Sequence, residues 1–194
     1  MSYLSSFRLL LLSLILMPCF ASADQPTKPV NREKYERVIE NQFVGFRIMR
    51  EEDFIDMYKG HFQDGKRGSL LLGYFDSDDN LDFAAFLIGG KRKFKGDGTT
   101  LVPPDVDLYD GAIVICHGDK QDTYVCEKVV DSLHSGLEYS EIVLVPRGSH
   151  DCMKGEGSDH ITTKIDSIGR YSESGGSFYV RQPDGKYKKC VTSD

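Results

Sequence analysis

The sequence predicts an α+β domain that is mostly antiparallel β-sheet, a meander, with two short N-terminal helices. Two observations lead to this fold class. Apolar residues fall at helical spacing only early in the chain, and from Gly68 onward they alternate with polar residues between short turns. Because strands joined by short turns pair antiparallel, we expect a meander rather than a set of crossover units.

The chain begins with the pattern of a signal peptide. Arg8 precedes the apolar stretch 9–17, and the small residues 21–23 form a cleavage site before Asp24. The apolar stretch is too short to span a membrane. We therefore predict export, to the periplasm or the extracellular space. The predicted segments are a signal peptide at 1–23, a polar lead segment at 24–30 and a single disulfide-stapled globular domain at 31–194.

Cys19 gives one alternative for this first segment. Residues 16–19 loosely resemble the lipobox of lipoproteins, in which the cysteine is lipidated. Pro18 stands where that motif has a small residue. We therefore expect cleavage before Asp24 instead of lipidation.

The charge balance argues against nucleic acid as a partner. The formal net charge is −6, and it becomes −7 when the signal peptide is removed with Arg8. Binding to phosphates needs a basic face. A cationic partner fits the sign better, although so small an acidic excess also serves ordinary solubility.

Four cysteines follow the signal peptide, and an even number in an exported chain predicts two disulfides. Cys116 and Cys126 flank the predicted hairpin tip 117–122 and could face each other across two strands. That pairing leaves Cys152 to bond with Cys190. Zinc binding by the four cysteines is the alternative, which the absence of any short Cys-x-x-Cys pair disfavours.

Two helices are predicted before the strands. The first follows a possible cap at Asn31 and runs to about Phe43. A second short helix is predicted to begin at Glu51, Glu52 and Asp53, because carboxylates in a first turn suit the helix dipole.

Strands are predicted through the rest of the chain. They cover residues 69–75, 82–88, 112–117, 123–128, 142–145, 161–165, 177–181 and 187–192. Gly89 and Gly90 are expected to end the second of these strands. Residues 147–159 are Gly-rich and polar and predict a long exposed loop pinned at Cys152.

The most informative segment is the acidic turn, residues 73–83, between the first two predicted strands. Asp76, Asp78, Asn80 and Asp82 stand at every second position. A tight loop could turn their oxygens onto one hard cation such as calcium. Alternatively, these side chains bond the local backbone and the segment is an Asx-stabilised hairpin turn.

The acidic turn resembles the calcium-binding turn of FG-GAP or VCBS repeats, which occur in integrin-like propellers and many exported bacterial proteins. The matching residues are Gly73, Phe75, Asp76, Asp78, Asp82 and Phe83. The resemblance implies that Asp76, Asp78 and Asp82 are calcium ligands and that Asn80 offers its backbone carbonyl.

The chain departs from that family at two positions. Tyr74 occupies the first ligand position, and Asp79 replaces the glycine of the sharp turn. We therefore expect calcium to bind weakly. A propeller needs several such repeats, and the sequence holds one copy. The chain as a whole resembles small exported bacterial proteins of unknown function, which implies no activity.

For catalysis, the candidates are His150 and His160, which have Asp151 and Asp159 beside them. Ser149, His150 and Asp151 are the residue types of a triad, but a triad is defined by geometry across the fold and not by adjacency in sequence. The sequence contains no Gly-x-Ser-x-Gly elbow, His-Glu-x-x-His helix or phosphate-binding loop.

Three functions are compatible with these observations. The first is a non-enzymatic binding or inhibitor-type module that acts on a protein or an envelope component through exposed loops. It rests on an exported, compact domain without a catalytic motif, in which His117 is interpreted as a surface histidine at a hairpin end. The second is a small exported hydrolase that uses His150 or His160. The third is a structural calcium-binding module.

Overall fold

The fold is mostly antiparallel β-sheet, as predicted, and its strands form two sheets. The computed structural model describes residues 31–59, 66–94, 106–133, 140–154, 157–172 and 175–192. The predicted signal peptide and lead segment lie outside these residues. The strands are β1 (Arg47–Ile48), β2 (Arg67–Gly68), β3 (Leu70–Gly73), β4 (Asp82–Phe94), β5 (Val106–Gly118), β6 (Tyr124–Leu133), β7 (Ser140–Val145), β8 (Gly148–Lys154), β9 (Gly157–Thr163), β10 (Ser167–Ser172), β11 (Gly175–Arg181) and β12 (Tyr187–Thr192).

The first sheet has the order β1-β4-β5-β6, with β3 also paired to β4. The second sheet has the order β2-β7-β10-β11-β12-β8-β9. Strands β3 to β6 and β10 to β12 follow one another as meanders. The meander prediction therefore holds for these parts, whereas β7 and β8 are consecutive in sequence but separated in the sheet.

The first sheet is the middle of three layers. Phe83, Ala85 and Leu87 of β4 belong to a core cluster that includes Tyr35 and Ile39 of the helix α1 (Arg32–Gln42). The alternate β4 residues, among them Phe86, pack in a second cluster with residues of the second sheet. A strand covered on both faces needs apolar residues at every position, which explains the uninterrupted apolar run of β4.

Helix α1 is confirmed within one residue at each end. Asn31 is its N-cap residue but makes no side-chain capping bond. At the other end, Gln42 bonds the free edge of β6. Its Nε2 donates to the carbonyl of Tyr124 at 2.9 Å, and its Oε1 accepts from the backbone N–H of Cys126 at 3.0 Å.

The second predicted helix is wrong for the described residues. Residues Glu51–Asp53 form a single 3-10 turn, and Asp56–Lys59 form a separate α-helical turn. Asp53 accepts hydrogen bonds from the Arg50 backbone N–H and from both terminal nitrogens of Arg47. The carboxylate therefore serves a local ion pair instead of starting a longer helix.

Two local predictions about the strands are also wrong. Gly89 and Gly90 do not end β4, which continues to Phe94 after a break in its register with β5 between Ile88 and Lys91. Residues 147–159 are not one long loop, because β8 and β9 form an antiparallel hairpin there. Apart from Met153, the exposed side chains described on this hairpin are polar, so that it lacks the apolar alternation of a typical strand.

The prediction of two disulfides is confirmed. Cys116 bonds with Cys126 as direct cross-strand partners on β5 and β6. Cys152 bonds with Cys190, joining β8 to β12 beside a small apolar cluster with Phe178. Among the described residues, no helix has the length and apolar character needed to cross a bilayer.

Candidate metal centre

The acidic turn folds around its own side chains. Oδ1 of Asp76 accepts a hydrogen bond from the backbone N–H of Asp78 at 2.9 Å. Oδ1 of Asp78 accepts one from the backbone N–H of Asn80 at 2.8 Å. The other oxygen of Asp78 accepts from the side-chain amide of Asn80 at 2.7 Å. These bonds form two successive Asx turns. Asp78 and Asn80 are thus directed at each other.

Asp82 lies at the bottom of the turn and is fully buried. Its Oδ2 accepts from the backbone N–H of Phe75 at 2.8 Å, and its Oδ1 accepts from that of Gly118 at 2.9 Å. A buried carboxylate is tolerated when donors compensate for the lost hydration. Asp82 is the first residue of β4, and its carboxylate therefore holds the start of the turn and the end of β5 together.

His117 faces these two carboxylates from β5. Its Nδ1 lies 3.3 Å from Oδ2 of Asp76 and 3.5 Å from Oδ2 of Asp82. This Nδ1 atom is buried, and among the described residues it has no hydrogen-bond partner of acceptable geometry. A buried polar atom without a partner is uncommon and calls for an explanation, such as a proton or an ion held between the groups.

Glu127 holds the other side of the His117 ring. The Nε2 atom of His117 lies 2.9 Å from Oε1 of Glu127. The same oxygen accepts from the hydroxyl of Tyr187 at 2.9 Å and lies 3.6 Å from Nε of Arg181. Since Tyr187 and Arg181 belong to the second sheet, the imidazole is oriented by both sheets.

The charges around the imidazole alter its titration. Burial disfavours the charged form of His117, but the contacts with Asp82 and Glu127 and the charge of Asp76 outweigh burial, and its pKa is raised. Burial also raises the pKa of Asp76, with the Asp82 charge acting in the same direction against the hydrogen bond from Asp78. The exposed Asp78 has a lowered pKa because the Asn80 backbone donates to it.

Asp76, Asp82 and His117 offer three ligand atoms that all lie within 4.8 Å of one another. Two carboxylates and one imidazole are a donor set used for zinc and other first-row transition metals, whereas calcium takes oxygen ligands alone. The two residues that calcium would also need, Asp78 and Asn80, bond each other. The donor set therefore suits a transition metal better than calcium.

Sequence reasoning identified two of these three residues. Asp76 and Asp82 lie in the predicted calcium set, but His117 was interpreted as a surface histidine. The signal that would have found it is the register of β4 and β5, in which Phe83 is opposite Cys116. Asp82 and His117 are the next residues outward on these two strands, so this register brings them together.

The two histidines considered for catalysis, His150 and His160, belong to the β8–β9 hairpin and not to this cluster. Nε2–H of His150 donates to the Pro146 carbonyl at 2.9 Å, and the ring of His150 contacts that of Phe178 with centroids 5.2 Å apart. His160 is exposed on the opposite face of the hairpin. The two side chains therefore do not share a site.

Comparison with protein-family models, with curated proteins and with solved structures gives no match to this chain. The resemblance of the acidic turn to FG-GAP or VCBS repeats therefore remains an expectation from the sequence.

Proposed function

We infer that this protein is an exported binding module whose ligand is one divalent transition-metal ion, held by Asp76, Asp82 and His117. The observation that carries this proposal is the buried Nδ1 of His117, which has two carboxylate oxygens within 3.5 Å and, among the described residues, no hydrogen bond. Three protein ligands leave open positions for water or for a partner's ligand atom.

The supporting groups around the site also fit a metal. Metal-bound imidazoles and carboxylates are commonly hydrogen-bonded by outer residues that fix their orientation. Glu127 fills that role for His117, and the N–H groups of Phe75 and Gly118 fill it for Asp82. Each carboxylate oxygen has two lone pairs, so a backbone donor and a metal can share one oxygen.

Protonated His117 alone is the competing explanation. An imidazolium would balance the nearby carboxylates without any metal, in keeping with its raised pKa. A metal ion replaces that proton, because the ligand must be neutral imidazole. Metal titration separates the two explanations.

Export is part of the proposal. It is supported by the signal-peptide pattern of residues 1–23 and by two disulfides, which form and persist in oxidising compartments. A partner protein or envelope component, and calcium bound by Asp76, Asp78, Asn80 and Asp82, remain predictions from the sequence.

The test is titration of the exported, oxidised protein with zinc, manganese and calcium, followed by calorimetry and thermal unfolding. We expect a transition metal to bind and to raise the melting temperature by roughly 5–10 °C at a concentration about 100 times Kd. His117→Gln should abolish binding. His160→Gln is the matched control and should bind normally.

Asp78→Asn distinguishes the transition-metal site from the calcium turn predicted by resemblance. Asp78 is not a ligand in the proposed site, so this variant should retain most of its metal affinity. If Asp78→Asn loses binding while His117→Gln keeps it, the ion is held by the turn and the proposal is wrong. Failure of all three ions to bind would leave His117 as a structural imidazolium.

A further inference from the structure

A second cluster, on the β8–β9 hairpin, has the connectivity of a nucleophilic site. The Oγ of Ser149 lies 2.5 Å from Nε2 of His160, and Nδ1 of His160 lies 2.7 Å from Oδ1 of Asp151. The order is hydroxyl, imidazole and carboxylate, with each ring nitrogen used once. This is the arrangement in which a base activates a nucleophile and a third group orients the base.

Strand pairing explains how these residues meet. Ser149 and Asp151 are two positions apart on β8, so their side chains share a face. Asp151 is the direct cross-strand partner of His160 on β9. The start of β8 is fixed because Gly148 N–H donates to Oγ1 of Thr163 at 3.2 Å. The hairpin alone therefore places all three groups.

The hydrogen bonds also select a tautomer. An ionised carboxylate can only accept, so Asp151 receives a hydrogen bond from Nδ1–H of His160. In the neutral ring Nε2 then has a free lone pair, and the Ser149 hydroxyl can donate to it. Neutral His160 is in this way ready to remove the serine proton.

Apolar side chains continue the same face. Met153 is two positions beyond Asp151 on β8, and it is the cross-strand partner of Val191. Met153 and Val191 are 49% and 44% exposed and lie side by side. They offer a surface for an apolar chain, and Met153 is about 13 Å from Ser149 along β8, the length of four strand residues.

We propose that Ser149, His160 and Asp151 form an open acyl-transfer site that takes esters with an apolar acyl chain. The Ser149 oxygen attacks the carbonyl carbon while its proton passes to Nε2 of His160. The bond to the alcohol oxygen breaks, and the leaving alcohol takes that proton. Water then attacks the acyl-serine with His160 as base, which releases the carboxylic acid and restores the serine.

The openness of the site limits its rate. The His160 and Asp151 side chains are 65% and 75% exposed, so water surrounds them and electrostatic stabilisation is weak. We therefore expect measurable reaction with activated esters and accumulation of the acyl-serine.

The experiment treats the oxidised full-length exported protein with p-nitrophenyl octanoate and p-nitrophenyl acetate. The readouts are p-nitrophenolate release, intact mass and peptide mapping. One acyl group should appear on Ser149, and Ser149→Ala should lose it. His160→Gln and Asp151→Asn should slow acylation about tenfold or more. Thr162→Val is the matched control, because its hydroxyl lies 3.2 Å from Ser149 but outside the proposed relay.

Two further readouts separate chemistry from structure. The pH dependence of acylation in the wild type should disappear in His160→Gln, and Met153→Ser should lower the octanoate-to-acetate rate ratio. Unchanged melting temperatures would show that these exposed variants fold. Acylation that persists in Ser149→Ala, falls only on lysines or is absent altogether would overturn the proposal, whether or not the metal site is real.

Discussion

The fully buried carboxylate of Asp82 accepts a hydrogen bond from the backbone N–H of Gly118, at 2.9 Å. This contact joins the end of the acidic turn to the strand that carries His117. It also requires a close approach of two backbones, since a Cβ on Gly118 would lie 2.4 Å from the carbonyl oxygen of Leu81. The geometry of the candidate metal centre thus depends on a residue without a side chain.

Gly118→Ala should therefore destabilise the fold and weaken metal binding together. The new methyl group meets backbone that cannot rotate away, so we expect a loss of about 1–3 kcal/mol in the free energy of unfolding. Urea denaturation measures it. Gly90→Ala is the control, because a Cβ there meets no atom within 4 Å. Equal losses in the two variants would contradict the argument from close approach.

Asp82→Asn tests the buried carboxylate. Both oxygens accept from backbone N–H groups, so an amide would turn a donor toward one of these donors. We expect the free energy of unfolding to fall by about 2–4 kcal/mol, since a buried N–H is left without an acceptor. The metal site also loses one charged ligand. Asp79→Asn, on the exposed part of the same turn, should be nearly neutral in the same denaturation assay.

The contact of Asp53 with Arg47 should make stability depend on pH. Burial raises the pKa of Asp53, but the hydrogen bonds from Arg47 and the Arg50 backbone more than offset it, and the net pKa is lowered. Because its folded-state pKa is lowered, ionised Asp53 stabilises the protein at pH values above the unfolded-state pKa of about 4. This stabilisation is lost as the pH falls through the folded-state pKa.

Asp53→Asn should therefore lower the free energy of unfolding by about 1 kcal/mol at pH 7, the range of partly exposed ion pairs. At a pH of about 2 it should lower it by almost nothing. Chemical denaturation at several pH values measures the difference. Glu51→Gln in the same 3-10 turn is the control. A penalty for Asp53→Asn that stays constant down to pH 2 would mean that the carboxylate charge is not responsible.

The two disulfides should differ in their contribution. They close loops with sequence separations of 10 and 38 residues. On the chain-entropy model these loops stabilise the fold by about 3 and about 4 kcal/mol. Replacing Cys152 and Cys190 with alanine should thus lower the urea midpoint more than replacing Cys116 and Cys126. The reverse order would indicate that native packing around the sulfurs outweighs loop entropy.

The sequence was sufficient where one local pattern determines the structure. The apolar run of β4 and the spacing of Cys116 and Cys126 each depend on neighbours in sequence. It was insufficient where the structure depends on a contact that the local pattern does not show. His117 joins Asp82 only through strand register, and Asp53 bonds Arg47 in place of starting a helix.

The β8–β9 hairpin shows a different limit of prediction from sequence. On β8, His150 and Cys152 face inward while Ser149 and Asp151 are exposed, so the strand alternates in burial without alternating in hydrophobicity. A polar strand of this kind has the composition of a loop. Pairing with β9 and the disulfide to Cys190 stabilise the extended conformation, which the composition alone does not predict.

The side chain of Gln42 has a consequence for association between chains. Its amide takes both the carbonyl of Tyr124 and the N–H of Cys126, as the backbone of an added strand would. An open strand edge is a template for pairing with another copy. As long as α1 is docked, this part of β6 is closed to such pairing. A chain whose first helix has not yet docked would present this edge to its neighbours, so docking of α1 also withdraws a surface through which two copies could associate.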